Sequence, residues 1–238
     1  MMRSPNWSSK ILKEETVTST NDRLAELCQE KEIKEFTTLM AEYQTAGKGQ
    51  RGNSWESEYG KNLTFSTVFY PQTIAPASQF ILSMTVASAI CTALAHYVHA
   101  DCLQIKWPND IYWKDKKIAG ILIENDLTGS QISQSIIGIG ININQEEFHS
   151  SAPNPVSLRQ ITQKKTEQNG SSEQRIGTYH RSLFPDRKQR NRYHYQNSGI
   201  LPESTIPQER LSPLLRCKRR VYCQTDPCGA RRTFDSER

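Results

Sequence analysis

The strands of this chain are predicted by runs in which apolar and polar residues alternate or apolar residues dominate. Residues 63–69 alternate larger apolar residues with smaller or polar ones, which predicts a strand that stops at Tyr70-Pro71. Other short apolar runs predict strands over residues 36–43, 103–107, 111–113, 118–124 and 132–142. A turn at residues 114–116 joins two of these strands as a hairpin. The strands are therefore expected to pair mostly in the antiparallel direction.

Two segments show the three-to-four-residue spacing of apolar positions that is typical of helices. Residues 19–22 offer N-cap side chains just before Leu24 and Leu27, which predicts a short amphipathic helix ending near Glu30. One apolar stripe predicts a second helix of about six turns that packs across the sheet. The stripe consists of Phe80, Met84, Ala87, Cys91, Leu94 and Val98. Helices against a mostly antiparallel sheet indicate an α+β fold and not a doubly wound parallel sheet.

The segment from Ala77 to Ala100 contains no Asp, Glu, Lys or Arg and is long enough to span a bilayer. Its Ser, Thr, Gln and His side chains interrupt the apolar run, which favours a buried core helix over a membrane span. Residues 1–10 contain no apolar run, so neither a secretory signal nor an anchor is expected there. We therefore expect a cytoplasmic protein with no membrane partner.

The net charge of +5 is concentrated in one part of the chain. Residues 1–165 carry 12 Lys and 4 Arg against 17 acidic residues, a net charge of −1. Residues 166–238 carry 2 Lys and 12 Arg against 8 acidic residues, a net charge of +6. This second segment also lacks hydrophobic periodicity and offers no core of its own. We predict a folded domain over residues 1–165, followed by an Arg-rich tail that is disordered or translated out of frame.

The six cysteines are divided equally between these two segments. Cys28, Cys91 and Cys102 lie far apart in apolar surroundings and are expected to be free thiols. The three cysteines between residues 217 and 228 lack the paired C-x-x-C spacing of a zinc ribbon. No metal site is therefore predicted.

Residues 44–58 have the composition of a mobile loop that could hold an anion. Three glycines would expose backbone amides, and Lys48 and Arg51 add positive charge, which suits a phosphate or a mixed anhydride. The spacing differs from that of a Walker loop. A flexible surface turn has the same composition, so both interpretations stay open on this segment alone.

Three further segments carry candidate chemistry. Residues 106–110, Lys-Trp-Pro-Asn-Asp, gather charged, aromatic and amide groups that suit a ligand, although a turn beside a core Trp is an equal alternative. Lys117 lies where the hairpin re-enters the sheet, a place from which its ammonium can point inward and stabilise an anion. Residues 138–142, Gly-Ile-Gly-Ile-Asn, lie inside an apolar strand, where glycines permit close approach of a ligand or backbone rather than forming a dinucleotide fingerprint.

Taken together and in order, these segments resemble biotin protein ligases. The resemblance covers roughly residues 10–165 and rests on Ser19-Thr20-Asn21, residues 44–52 with Trp55, and residues 106–110, 117–122 and 138–142. The related lipoate ligases have a different lysine context and lack the 106–110 segment. The resemblance implies a catalytic fold akin to class II aminoacyl-tRNA synthetases. It also implies ATP, Mg²⁺ and biotin, a biotinyl-5′-adenylate, and transfer of biotin to a lysine of a biotin carboxyl carrier domain of a carboxylase.

The resemblance further implies a role for each matching residue. Biotin is expected to contact Ser19, Thr20, Asn21, Gln44, Lys48, Gly49, Gln50 and Lys117. ATP is expected to contact Arg51, Trp55, Lys106, Asn109 and Asn142. Lys117 and Arg51 are expected to be catalytic, because a cation neutralises the charge that develops as the anhydride forms. The glycine-rich loop is expected to close over the intermediate, with Trp55 covering the adenine, and to exclude water.

Three features depart from the family pattern. Lys48 stands where many relatives carry Arg, which keeps the charge but loses a bidentate fork. Residues 166–238 do not resemble the SH3-like C-terminal domain of relatives. A catalytically impaired, biotin-binding remnant is therefore the alternative function. A third hypothesis is that the basic tail binds nucleic acid. The residues before Ser19 are too few for the DNA-binding domain of some relatives. We therefore expect no DNA partner by that route, and a homodimer is one expected assembly.

Overall fold

The structure is a computed structural model that describes residues 10–71, 74–150 and 152–164. The Arg-rich tail predicted over residues 166–238 lies outside the described residues. The described strands are β1 Ile11–Val17, β2 Thr38–Gln44, β3 Leu63–Phe69, β4 Leu103–Lys106, β5 Asp110–Trp113, β6 Lys116–Thr128 and β7 Gln131–Ile141. The described α-helices are α1 Thr20–Glu30, α2 Phe80–Leu94 and α3 Leu158–Thr162.

The seven described strands form one mixed sheet with the order β1-β2-β3-β7-β6-β5-β4. The β1–β2 pair is parallel, and the other described pairs are antiparallel. Helix α1 contacts β2, β3 and β7, whereas α2 contacts β4, β5 and β6. The predicted α+β fold with a mostly antiparallel sheet is therefore confirmed.

The strand register decides which residues share a face of the sheet, because directly opposite residues on paired strands point to the same side. Met40 is opposite Phe65, Phe65 is opposite Ile139, and Ile139 is opposite Ile121. All four belong to the main core cluster, which also contains the buried residues of α2. This face of the sheet is therefore the α2 face, and it holds most of the buried apolar surface.

The opposite face of the sheet carries α1. Leu24 and Leu27 of α1 form a second core cluster with Leu39, Val68 and Ile136. Full burial of a leucine such as Leu24 contributes about 1.5–3 kcal/mol to stability, so this contact fixes the helix on the sheet. Although the helix begins directly after the edge strand β1, its first turn lies over the middle of the sheet, because Asn21 contacts Ser66 of β3 and Gly138 of β7.

Helix α2 differs from the predicted helix in length and in its buried stripe. It ends at Leu94 after 15 residues instead of continuing to Val98. Phe80 and Met84, which were predicted to face the core, are 52% and 45% exposed. The prediction was wrong at these positions because the helix is apolar on nearly every side, which leaves its periodicity weak.

One helical stretch within the described residues, Pro76–Leu94, is long and apolar enough to cross a membrane by length and composition alone. Its residues Val86, Ala87, Ile90 and Leu94 are buried in the main core cluster. The stretch therefore packs one side against the sheet, as the sequence predicted for a core helix.

The other differences between the predicted and observed elements are an unpredicted edge strand, the start of β2 and an unpredicted short helix. Strand β1 has no predicted counterpart, since it is an edge strand with charged residues and only Val17 buried. Strand β2 begins at Thr38 rather than Phe36, because Phe36 adopts a positive φ of 64°. The short helix α3, closed by a capping box between Ser157 and Gln160, was also not predicted.

Candidate active site

A cavity of about 280 Å³ lies on the α1 face of the sheet. Its walls come from the first turn of α1, the hairpin formed by residues 47–55, residues 106–110, and the glycines of β6 and β7. Twelve of the residues predicted for the site line it together: Ser19, Thr20, Asn21, Gln44, Lys48, Gly49, Gln50, Arg51, Trp55, Lys106, Asn109 and Lys117. The fold thus gathers side chains that are up to 98 positions apart in the chain, from Ser19 to Lys117.

Neutral polar side chains form a connected network at the α1 end of the cavity. The Oε1 atom of Gln44 accepts hydrogen bonds from the backbone N and Oγ1 of Thr20, at 2.8 and 3.1 Å. The hydroxyl of Ser66 lies 2.7 Å from Thr20 Oγ1 and 2.6 Å from Asn21 Oδ1. Nδ2 of Asn21 donates to Glu124 Oε2 at 2.6 Å. This network fixes the orientation of each amide, and so the pattern of donors and acceptors offered to a ligand.

The glycine-rich segment forms a small hairpin at the mouth of the cavity. Trp55 N donates to Gly47 O at 2.8 Å, and Gly49 N donates to Asn53 O at 2.7 Å. The ammonium of Lys48 lies 2.5 Å from Asp22 Oδ1 in the first turn of α1. This hydrogen bond raises the pKa of Lys48. The hairpin is therefore tied to α1 through a charged contact at which both side chains are partly exposed to solvent.

The floor of the cavity consists of strand glycines covered by two side chains. A Cβ on Gly138 would overlap Oδ1 of Asn21, and a Cβ on Gly140 would lie 2.6 Å from Cζ2 of Trp55. Gly120 has the same relation to Trp55, at 3.0 Å from Cζ3. The sequence predicted that Gly138 and Gly140 allow a close approach. In this structure the approaching groups are the Asn21 amide and the Trp55 indole.

Lys117 points into the cavity because of a β-bulge. The β5–β6 register shifts between Ile111 and Tyr112, so that Ile118 and Ala119, although consecutive, both belong to the core on the α2 face. Lys117 is thereby turned to the cavity side, where it lies among the lining residues. Its backbone N donates to Asn154 O at 2.8 Å, and Val156 N donates to its carbonyl at 2.9 Å. The lysine is therefore held rigidly at both backbone groups.

The ammonium of Lys117 is paired with a carboxylate inside the cavity. Its Nζ lies 2.8 Å from Asp110 Oδ1 and 5.7 Å from the centre of a Trp55 ring. Both charged side chains are about one-fifth exposed. Asp110 Oδ1 is buried and makes no hydrogen bond of good geometry, although the ion pair is close. The pair consequently retains capacity to bond a ligand.

Residues 106–110 supply the remaining wall. Lys106 Nζ lies 3.4 Å from Tyr112 Oη, and Asn109 Nδ2 donates to Ile121 O at 3.2 Å. Trp107 is 72% exposed, so the alternative interpretation, a turn beside a core Trp, was wrong for this segment. The segment lines the cavity instead.

The structure places one predicted site residue, Asn142, outside the cavity lining. Asn142 is 3% exposed, and its Nδ2 donates to Val156 O at 3.2 Å. Its Oδ1 is buried without a hydrogen-bond partner. The assignment of Asn142 to ATP stays a prediction, as do the other assignments of single residues to biotin or ATP.

Sequence reasoning missed Ser66, Glu124 and the pairing role of Asp110. Ser66 is fully buried and links Thr20 to Asn21. The available signal was the alternation of β3, which places the small polar residues Thr64 and Ser66 on one face of the strand. Glu124 gave no comparable signal, because its contact with Asn21 depends on packing between α1 and β6.

Comparison with known proteins defines the class that this fold and site represent. The model of the biotin/lipoate A/B protein ligase family matches residues 14–142, more than half of the chain. The chain therefore belongs to this family. Its seven-stranded mixed sheet with flanking helices is the catalytic fold of biotin and lipoate ligases, consistent with the predicted likeness to class II aminoacyl-tRNA synthetases.

Within that family, the similar proteins are biotin ligases. The chain is 38% identical over 140 residues to the bifunctional ligase/repressor BirA of Escherichia coli, a match that covers 58% of this chain and 42% of BirA. It is 34% identical over 108 residues to the biotin–[acetyl-CoA-carboxylase] ligase of Paracoccus denitrificans, covering 44% and 43% of the two chains. The predicted resemblance to biotin protein ligases is thus confirmed, and the chain spans less than half the length of these two relatives.

A solved structure shows the same fold. The biotin protein ligase of Aquifex aeolicus, in complex with biotin and ATP, superposes with a TM-score of 0.59 and 25% identity. The match covers 79% of this chain and 72% of the Aquifex chain.

Proposed function

We propose that this chain is an ATP-dependent ligase that forms biotinyl-5′-adenylate and transfers biotin to a lysine of a biotin carboxyl carrier domain. One observation carries the proposal. A single cavity holds a neutral polar network over Gly138 and a lysine–aspartate pair with an indole over Gly120 and Gly140. The similarity to biotin ligases, including one solved with biotin and ATP, supports the same conclusion.

The neutral network suits the uncharged ureido end of biotin. A ureido group offers one carbonyl acceptor and two N–H donors, which need oriented polar partners when they leave water. The side chains of Ser19, Thr20, Asn21 and Gln44 provide hydroxyl and amide groups of both kinds around the same end of the cavity. A charged ligand end fits poorly there, since the bonds among these side chains are neutral except at Glu124.

The cationic half of the cavity suits the reacting carboxylate and the phosphates. In the first step a carboxylate oxygen of biotin bonds to the α-phosphorus of ATP, and the bond to the leaving diphosphate breaks. The backbone bonds of Lys117 and its pair with Asp110 hold the ammonium in place, which supports a role in neutralising the oxygens of the pentacoordinate phosphorus. Arg51 and Lys106 add positive charge to the same cavity.

In the second step the amine nitrogen of an acceptor lysine bonds to the acyl carbon of the adenylate. The carbon–oxygen bond to AMP breaks, the amine loses a proton, and an amide remains. Lys117 polarises the acyl carbonyl in this step, and closure of the hairpin at residues 47–55 protects the adenylate from water.

Mg²⁺ is part of the proposal through the ATP phosphates. No group of three or more His, Cys, Asp or Glu residues is arranged to hold a metal ion within the described ranges. Asp110 is the acidic residue among those that line the cavity. Because Mg²⁺ commonly binds through one or two carboxylates and substrate phosphates, Asp110 together with the phosphates fits such an ion.

The proposals about the acceptor and the cellular setting are based on the relatives and on the sequence, and not on the cavity. The name of the Paracoccus relative, a biotin–[acetyl-CoA-carboxylase] ligase, supports a carboxylase carrier domain as acceptor. A homodimer, a cytoplasmic location and the absence of a DNA partner stay predictions from the sequence.

Biotin-dependent exchange of labelled diphosphate into ATP tests the first step. We expect exchange by the full chain and a loss of at least about 100-fold in Lys117→Ala, the scale of removing one fixed group that stabilises transition-state charge. Lys116→Ala is the matched control, because this neighbouring lysine is exposed and does not line the cavity. Biotin binding without exchange by the unmodified chain would refute the proposed activity, and so would full activity of Lys117→Ala.

A further inference from the structure

The carboxylate of Glu56 is held by an unusual number of donors. Its Oε2 accepts from Ser150 N at 2.7 Å and from His149 N at 3.0 Å, and its Oε1 accepts from His149 N at 2.9 Å. Nε2 of Gln145 also donates to Oε1, at 3.2 Å. Burial acts to raise the pKa of Glu56, but the hydrogen bonds from His149 and Ser150 outweigh it and lower the pKa. The site is thus built for a charged carboxylate.

Gln145 extends this anchor to both sides of Glu56. It is completely buried, and its Oε1 accepts from Glu58 N at 3.0 Å and from Asn62 Nδ2 at 2.5 Å. Asn62 Oδ1 in turn accepts from Ile143 N at 3.0 Å. The chain from Glu56 to Asn62 is therefore fixed to residues 143–150, which directly continue β7.

Trp55 immediately precedes this anchor and covers the cavity floor. The indole lies against Gly120 and Gly140, and a Cβ added to either glycine would be within 3.0 Å of an indole atom. Its Nε1 is buried and has no hydrogen-bond partner. No hydrogen bond holds the ring, and Lys117 Nζ lies 5.7 Å from its centre. The position of the ring therefore depends largely on the backbone, which is fixed by the bond from Trp55 N to Gly47 O and by Glu56.

We propose that Glu56 is a positioning residue that acts through Trp55 and sets the indole over the Gly120–Gly140 floor for the nucleotide. Gly140 belongs to β7, and Glu56 is bonded to the segment that follows β7. The anchor therefore holds the indole in register with the floor. The assignment of the nucleotide as the ligand rests on the proposed function.

Glu56→Gln in the full chain tests this role, with Glu58→Gln as the matched control. A glutamine keeps one acceptor but turns an NH₂ group toward a backbone N–H, so the anchor is lost with little change in size. Glu58 is exposed, and its replacement removes the same charge two residues away. In the exchange assay we expect Glu56→Gln to raise the KM for ATP about five- to tenfold and to leave the KM for biotin within about twofold, while Glu58→Gln changes neither.

A double-mutant cycle separates positioning from general destabilisation. If Glu56 acts through the indole, Glu56→Gln adds nothing to the effect of Trp55→Ala on the KM for ATP. Trp55→Phe provides a second background that keeps an aromatic ring. Additive effects in both backgrounds, or an equal rise in the KM for biotin, would overturn the proposal.

Quenching of Trp55 fluorescence by acrylamide tests the positioning without any activity. The Trp55 contribution is the difference between a chain and its Trp55→Phe variant. We expect Glu56→Gln to increase quenching of this contribution about twofold, because the indole leaves its half-buried position, and Glu58→Gln to leave it unchanged. Unchanged quenching in Glu56→Gln overturns the positioning role. A chain with no exchange activity but with the expected quenching refutes only the proposed ligase function.

Discussion

Replacing Gly138 by alanine probes the contact on which the polar end of the site depends. The new Cβ would overlap Oδ1 of Asn21 and lie 3.0 Å from its Cγ, so the Asn21 side chain must move. Asn21 is 3% exposed and is bonded to Ser66 at 2.6 Å and to Glu124 at 2.6 Å. Movement large enough to relieve the overlap breaks both bonds.

The expected cost follows from these two bonds. The neutral bond to Ser66 contributes about 1 kcal/mol and the bond to the Glu124 carboxylate about 1.5–2 kcal/mol, the lower part of the charged range because Glu124 is exposed. Gly→Ala returns about 0.4–1 kcal/mol through the unfolded state. The net loss is therefore about 2 kcal/mol, which lowers the Tm by about 4–8 °C for a chain of this size.

Gly140→Ala is the matched control, since it makes the same change on the same strand and face. Its Cβ would overlap Cε2 of the Trp55 indole, but this ring has no hydrogen bond to lose and belongs to a surface hairpin. We expect a change in unfolding free energy below about 1 kcal/mol. Thermal unfolding followed by circular dichroism compares the two variants.

Asn21→Ala removes the obstacle and completes the test. In that background Gly138→Ala is expected to cost nothing further, because the colliding amide is gone. Equal Tm values for Gly138→Ala and Gly140→Ala would refute the reasoning, and so would a full cost of Gly138→Ala in the Asn21→Ala chain.

Two further predictions concern stability. Leu94→Ala is expected to cost about 2–5 kcal/mol of unfolding free energy in urea, because Leu94 is fully buried. Met84→Ala is expected to cost less than about 0.5 kcal/mol, because Met84 is 45% exposed. Similar costs for the two variants would mean that Met84 faces the core, as the sequence predicted. The pKa of Glu56 is lower in the folded state than in the unfolded state. The charged carboxylate therefore stabilises the fold at pH values above the unfolded-state pKa of about 4.3, and this contribution is lost as the pH falls through the folded-state pKa. Unfolding free energies of the unmodified chain and Glu56→Gln should therefore differ at about pH 7 and converge below about pH 4, and a difference that does not depend on pH would contradict this.

Much of the site could be predicted from the sequence, because its residues occur in short ordered segments with distinctive chemistry. Lys106, Asn109, Lys117 and the residues of the glycine-rich hairpin were all expected to meet, and they line one cavity. Asn142 was placed in the same set by its motif, yet it lies outside the lining with its amide bonded to Val156. A motif gives the order of residues along the chain, but the direction of a side chain at a strand end depends on what packs beside it.

Most local elements and the family follow from the amino-acid sequence alone. Alternation of apolar residues marked β3 and most of β7, and the spacing of Leu24 and Leu27 marked α1, because period two and period 3.6 are properties of the local chain. The motif order was sufficient for the resemblance to biotin ligases that the comparisons confirm.

How these elements make a site depends on the folded domain as a whole. The sheet order, the parallel β1 edge and the bulge that turns Lys117 toward Asp110 all require pairing between distant segments. The same holds for the Glu56 anchor, where one side chain receives backbone N–H groups about 93 positions away. Alternation within a strand shows that its two faces differ, but neither the partner strand nor the register is encoded in the segment alone, since both are set by the packing of the whole domain.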